Sequence, residues 1–231
     1  MLYISLILNL LLLSVMVGLG HHYKWKDKFL GRISWKENPK SLDYLITESW
    51  THTMESLNYD ADIVLFGASL TSDGHWEDFF DTLNICNLGK SGDRLETMLW
   101  RIPQIAAVKP HKIFLSMEHN DMHDLTIEEI NKAYNTLIDT ITQTNPQAML
   151  YLESLTPLNE RQFERVCDNE KCKQVNEMIN RVAIERGVPY IDIYSIYEED
   201  GQLPMSLSTD GQHLKPEAYE FWANALLQYI R

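Results

Sequence analysis

The chain has 231 residues, 45% of them hydrophobic and 23% charged, with a formal net charge of −13. This is ordinary globular composition. The acidic balance argues against nucleic acid as a partner, because phosphate binding needs a basic surface. Three cysteines are too few for a disulfide framework.

Residues 1–20, MLYISLILNLLLLSVMVGLG, carry no charged side chain. At about 1.5 Å per residue, such a helix crosses about 30 Å of hydrocarbon. A cleaved signal peptide is the rival reading, but it would bring a basic n-region and an A-x-A-like exit, and both are missing. An uncleaved membrane anchor is therefore expected over 1–20, followed by a basic-aromatic tether over 21–40 and a folded domain over 41–231. Lys24, Lys26, Lys28 and Arg32 follow the apolar segment and would keep the domain cytoplasmic by the positive-inside rule. The loop CDNEKC points the other way, since Cys167 and Cys172 would close a small disulfide if the domain is exported. The expectation is an extracytoplasmic domain, secreted if the first segment is cleaved. No His or second Cys pair stands beside that loop to complete a zinc site.

From Ser41 onward the pattern alternates. Short strand-like runs occur at DIVLFG, NICNLG, KIFLSM, AMLYLES and PYIDI, with helical stretches between them. Cys86, in the second run, reads as an inert core thiol. The segment TIEEINKAYNTLIDTI places Ile127, Ile130, Tyr134, Leu137 and Ile141 on one face, behind a Thr126–Glu129 capping box. The last helix is expected to start at Pro216 and to bury Phe221, Trp222, Ala225 and Tyr229. Five strands alternating with helices predict a mainly parallel sheet covered on both faces. Ligands in such sheets bind beyond the carboxyl ends of the strands, so functional residues should directly follow strands.

Several residues pass that filter. Ser69 follows the first run, Gly89 and Gly92 follow the second in NLGKSGDR, and Asn120 follows the third in EHND. Asp210 stands three residues before His213, ahead of the final helix. Each is ordinary alone: a Ser after a strand is usually a turn, a Gly before a helix is usually backbone geometry, and an exposed Asp-x-x-His is usually polar loop. In this order, however, they supply an acyl-transfer site. Ser69 is the nucleophile, expected to point to solvent with Gly67 and Ala68 small enough to admit an acyl group. His213 is its base and Asp210 holds the imidazole. The backbone N–H groups of Ser69 and Gly92, with the Asn120 amide, are donors to the oxyanion.

FGASLT, NLGKSGD, EHND and DGQH together resemble the four blocks of the SGNH/GDSL hydrolase family. LWRI resembles its platelet-activating-factor acetylhydrolase branch, and the likeness covers residues 60–231. The resemblance implies a flavodoxin-like three-layer α/β/α sandwich with a five-stranded sheet, preceded here by an N-terminal hydrophobic helix. It also implies ester hydrolysis with no metal and no cofactor. Two positions depart from the family pattern. Ala68 replaces the Asp that helps order the nucleophile loop, and Glu118 replaces a Gly, which leaves three readings open: repelling anionic substrates, binding a sugar hydroxyl, or facing solvent.

The implied function is a serine ester hydrolase acting on small acyl groups, O-acetyl on carbohydrate first. Its partners are an acyl ester substrate such as an acetylated glycan, and the membrane through residues 1–20; the sequence carries no signature of oligomeric state. Trp76, Phe79 and Phe80 offer a sugar-stacking surface, against a helix-core reading for the two Phe residues. A lysophospholipase or thioesterase is the nearest alternative. A tethered but inactive glycan-binding module is another, motivated by Ala68 and Glu118. A nucleotide binder lacks the Walker spacing.

Overall fold

The computed structural model describes residues 42–80, 83–162 and 168–230. The expected anchor and tether, the hydrophobic N-terminal helix and Cys167 of the expected bridge lie outside these residues. Among the described residues no helix is long and apolar enough to cross a membrane. The chain divides between Ser49 and Trp50, and the described residues from Trp50 onward form one compact unit. Helix α1, Leu42–Leu57, carries the boundary.

In the second unit the elements run β1 (Ile63–Phe66), α2 (Ser69–Asp73), a 3₁₀ turn (Trp76–Asp78), β2 (Ile85–Asn87), α3 (Leu95–Ala107), β3 (Lys112–Leu115) and α4 (Ile127–Thr144). They continue with β4 (Met149–Glu153), α5 (Asn169–Arg186), β5 (Tyr190–Ile191), α6 (Tyr194–Tyr197), a second 3₁₀ turn (Pro216–Ala218) and α7 (Tyr219–Ile230). The five strands are ordered β2-β1-β3-β4-β5 and every pairing is parallel, so the sheet is wholly rather than mainly parallel. This is the doubly wound order of flavodoxin-like folds, whose switch point lies between β1 and β3.

The central strands are apolar on both faces, as buried parallel strands must be. Val64 and Phe66, Ile113 and Leu115, and Leu150 and Leu152 face one core together with residues of α3, α4 and α5. Ile63 and Leu65, Phe114 and Tyr151 face the other, with Trp76, Tyr219, Trp222 and Leu226. In α4 the expected face is buried at Ile130, Tyr134, Leu137 and Ile141, and the Thr126–Glu129 capping box is formed. In α7 the expected face holds at Trp222, which is buried, and at Ala225 and Tyr229, which are partly buried against the core. It is corrected at Phe221, 48% exposed, while Tyr219, Ala223 and Leu226 are buried beside Trp222. The 3₁₀ turn at Pro216–Ala218 delays the α-helix to Tyr219, which sets the phase of its apolar stripe.

Candidate active site

β1 ends at Phe66, and the chain turns at once into α2, whose first residue is Ser69. Gly67 is small for a packing reason. A Cβ there would lie 2.1 Å from Thr71 Oγ1 and 3.0 Å from the Ser116 carbonyl oxygen. Ala68 is fully buried. Gly67 therefore has a packing reason of its own beside the expected one of admitting an acyl group, and the Ala68 N–H donates to Glu118 Oε1 at 2.7 Å. Ser69 does not stand in solvent either, being 5% exposed.

Ser69 Oγ lies 3.1 Å from His213 Nε2, and His213 Nδ1 lies 2.7 Å from Asp210 Oδ2. An ionised carboxylate only accepts, so Nδ1 carries the proton donated to Asp210 and Nε2 is free to accept from the serine hydroxyl. Burial raises the Asp210 pKa, but the backbone N–H and ring of His213 and the N–H of Gln212 overrule it and hold the carboxyl below its usual range. The turn carrying Asp210 and His213 is tied at both ends. Ser208 Oγ donates to the His213 carbonyl at 2.8 Å and accepts from Gly211 N at 2.9 Å, with Gly211 at φ +94°. Tyr219 Oη donates to the Leu70 carbonyl at 2.9 Å, which locks the start of α7 to α2 and so sets the separation of His213 from Ser69.

The loop after β2 contains Gly92 at φ +80°, a conformation that favours glycine. Lys90 N donates to the Gly67 carbonyl at 3.1 Å, and Asn120 Nδ2 donates to the Asp93 carbonyl at 2.8 Å. The loops carrying Ser69, Gly92 and Asn120 are therefore stitched together, and the second N–H of the Asn120 amide is left over. Gly89 is required by close approach, since a Cβ would meet Ser72 N at 2.2 Å.

Behind this loop Arg101, 5% exposed, pairs with Asp93 and donates to the Leu88 carbonyl. Asp121 Oδ2 accepts from Leu95 N at 2.8 Å at the start of α3. Arg101 lies in the LWRI run, but nothing in that run told that its side chain would reach back to the loop. His119, 3% exposed, lies 2.8 Å from the Thr156 carbonyl through Nε2, and burial lowers its pKa to about 4, so it stays neutral. Glu153, 2% exposed at the end of β4, accepts from Trp222 Nε1 at 2.6 Å, and burial raises its pKa to about 8.

Glu118 overturns the solvent-facing reading, being 1% exposed, and its oxygens are taken up by donors of the nucleophile turn rather than held open. Its carboxylate accepts from the backbone of Ala68, Leu70 and Thr71 at 2.7–2.9 Å and from Thr71 Oγ1 at 3.0 Å. The expected stacking surface is also corrected. Trp76 is 1% exposed, donates from Nε1 to the Thr71 carbonyl and packs edge-on against Tyr219 and Trp222, and Phe80 is 5% exposed. Cys86 is partly buried on β2, with its thiol pushed up to about 11 by burial. Among the described residues no group of three or more His, Cys, Asp or Glu is arranged to hold a metal ion.

A model of the GDSL-like Lipase/Acylhydrolase family matches residues 47–221. Platelet-activating factor acetylhydrolase IB subunit alpha1 from Rattus norvegicus is 25% identical over 131 residues, covering 54% of this chain and 55% of that protein. The chain spans between 38% and 55% of the length of the first curated relatives it matches. A solved structure from Streptococcus pneumonia superposes with TM-score 0.75 at 23% identity, covering 90% of this chain and 99% of the other. The acetyl xylan esterase AlAXEase superposes with TM-score 0.62 at 15% identity, covering 73% and 99%.

Proposed function

The chain belongs to the GDSL-like lipase/acylhydrolase family, and we propose that it is a serine esterase that removes small acyl groups, acetyl first, from carbohydrate hydroxyls. The observation that carries the reading is the hydrogen-bonded row Ser69 Oγ–His213 Nε2–Asp210 Oδ2 at the carboxyl ends of the strands. Ser69 Oγ attacks the acyl carbon and its proton passes to His213 Nε2, while Asp210 stabilises the imidazolium. The N–H groups of Ser69 and Gly92 and the free N–H of the Asn120 amide receive the oxyanion. His213 then protonates the departing alcohol, and a water activated by the same nitrogen releases the acid.

The polar-alcohol reading is supported by the unequal exposure of the triad. Ser69 is buried, whereas the side chains of His213 and Asp210 are 34% and 46% exposed. A small acyl group enters the serine side, and a bulky hydrophilic alcohol remains on the open imidazole side. The names of the acetylhydrolase and acetyl xylan esterase relatives agree with acetyl transfer to water and, for the second, with a glycan. An active enzyme is favoured over an inactive binding module because a carboxylate still reaches the nucleophile turn although position 68 is Ala. In this reading residues 1–20 tether the domain to a membrane with the site extracytoplasmic, where acetylated glycans are met. Protease protection of the domain in permeabilised cells would reverse that orientation. Hydrolysis of p-nitrophenyl acetate by wild type and its loss in Ser69→Ala tests the chemistry. Faster turnover of acetylated glycans than of lysophospholipids tests the substrate class, and the reverse order removes it.

A further inference from the structure

The nucleophile turn has no cap of its own. α2 begins at Ser69, and its N-cap residue, Ala68, has no side chain that can accept a hydrogen bond. An Asp, Asn, Ser or Thr at that position would accept from the N–H groups two and three residues on, here Leu70 and Thr71. Both are nevertheless satisfied, by one distant residue. Glu118 Oε2 accepts from Leu70 N at 2.8 Å, and Glu118 Oε1 accepts from Thr71 N at 2.9 Å, from Ala68 N at 2.7 Å and from Thr71 Oγ1 at 3.0 Å. The N–H of Ser69 is not among these donors. Ser69 Oγ lies 3.5 Å from Glu118 Oε2 and closer, 3.1 Å, to His213 Nε2.

We propose that Glu118 is a positioning residue for Ser69: from the loop after β3 its carboxylate supplies the cap that position 68 lacks, and it fixes the turn with the hydroxyl aimed at His213 and the Ser69 N–H kept for the oxyanion. This rests on the esterase reading of Ser69. The backbone carries a second mark of the same arrangement. Glu118 has φ +54°, a left-handed conformation that a long side chain keeps only when its surroundings hold it there. The four donors around the carboxylate do so.

Geometry makes positions 68 and 118 reciprocal. Ala68 is fully buried and its N–H touches Glu118 Oε1, so a carboxylate at 68 competes with Glu118 for the same donors. With Glu118 replaced by Gly, Asp at 68 has both the space and the N–H groups of Leu70 and Thr71, and Gly suits the left-handed backbone at 118. Each single change should harm the turn, and the pair should restore it. A merely structural role for Glu118 does not predict that recovery at the serine.

The test uses the full chain as wild type, Glu118→Gln, Glu118→Gly, Ala68→Asp, the double variant Ala68→Asp/Glu118→Gly, and Ser69→Ala. Three quantities are read: folding by circular dichroism, kcat and KM on p-nitrophenyl acetate, and the rate at which a fluorophosphonate labels Ser69 with loss of fluoride. Gln keeps the shape but turns an N–H toward backbone N–H donors. For Glu118→Gln, kcat and labelling rate are expected to fall about a hundredfold while KM stays within about threefold. The double variant is expected to recover both rates to within about tenfold of wild type, and neither parent single variant to do so. The proposal is overturned by a Glu118→Gln that keeps more than about a third of wild-type kcat. It is equally overturned by a double variant that is unfolded, or folded but no faster than Glu118→Gly. If Glu118→Gln does not fold, the double variant decides alone. Failure of the esterase reading looks different: Ser69→Ala hydrolyses the ester as fast as wild type, whatever happens at 118.

Discussion

At the amino end of the sheet, Asp60 meets Lys109 at 3.5 Å and Asp62 meets His111 at 3.7 Å, with each of the four side chains 44% exposed or more. At the carboxyl end, Asp93, Arg101, Glu118, His119, Asp121 and Glu153 are all buried. The same residue types thus line both ends of one sheet under opposite conditions. Exposed pairs in water add little to stability. Buried ions lose their hydration and persist only where hydrogen bonds replace it. Asp93, Arg101, Glu118 and Asp121 each hold a backbone group or charged partner of a loop bearing Ser69, Gly92 or Asn120. The costly groups are concentrated where atomic position matters for chemistry.

The comparison breaks most readily at Arg101. Arg101→Met leaves Asp93 buried without its cation, and chemical denaturation should show a loss of about 3–5 kcal/mol. Esterase activity should fall further than the folded fraction does, because the Gly92 loop loses its brace. Asn120→Ala should lower kcat by about a hundred- to thousandfold, roughly 2.7–4 kcal/mol of transition-state stabilisation, with KM nearly unchanged. Steady-state kinetics reads this, and a rise in KM at constant kcat would remove the oxyanion role.

Glu153 sharpens the comparison through pH. Burial pushes its carboxyl up to about 8 in the native protein, from 4.5 for the free group. Below pH 4.5 both states hold the proton and the group has no effect. Between pH 4.5 and 8 the unfolded chain releases the proton while the native protein keeps it, so stability declines as pH rises through that window. Glu153→Gln should remove this decline. The variant should match wild type near pH 4.5 and exceed it at pH 8 by on the order of a few kcal/mol, read as Tm against pH. His119, depressed to about 4 from 6.5, acts on the other side. As pH falls from 6.5 to 4 the unfolded chain takes up a proton that the native ring refuses, and stability declines. The smallest effect belongs to the amino end: Lys109→Ala should change stability by no more than about 0.5 kcal/mol and leave kcat unaltered.

Much of this was legible in the sequence because the central strands are buried on both faces and read as unbroken apolar runs. Ile63–Phe66 and Lys112–Leu115 could be placed to within a residue or two for that reason. Ser69, Gly92 and Asn120 stood out in the sequence by their place after strands, and Asp210 and His213 by their three-residue spacing ahead of the final helix. Long-range partnerships were not. Glu118 stood out as a departure, yet its partners lie 47–50 positions away and no local pattern encodes them. Trp76 looked like a surface aromatic in HWEDFF, while its burial depends on Tyr219 and Trp222 from the far end of the chain. Phe221 was misplaced because the helical phase is set by the 3₁₀ turn and by the Tyr219–Leu70 hydrogen bond.

Trapping the acyl-enzyme tests the central claim most directly. Wild type is quenched in acid during turnover of p-nitrophenyl acetate, and its peptides are mapped by mass spectrometry. The account predicts an acetyl group on Ser69, no such adduct in His213→Ala, and none in Ser69→Ala. Acetyl on another residue, or steady ester hydrolysis with Ser69 unmodified throughout, would contradict it.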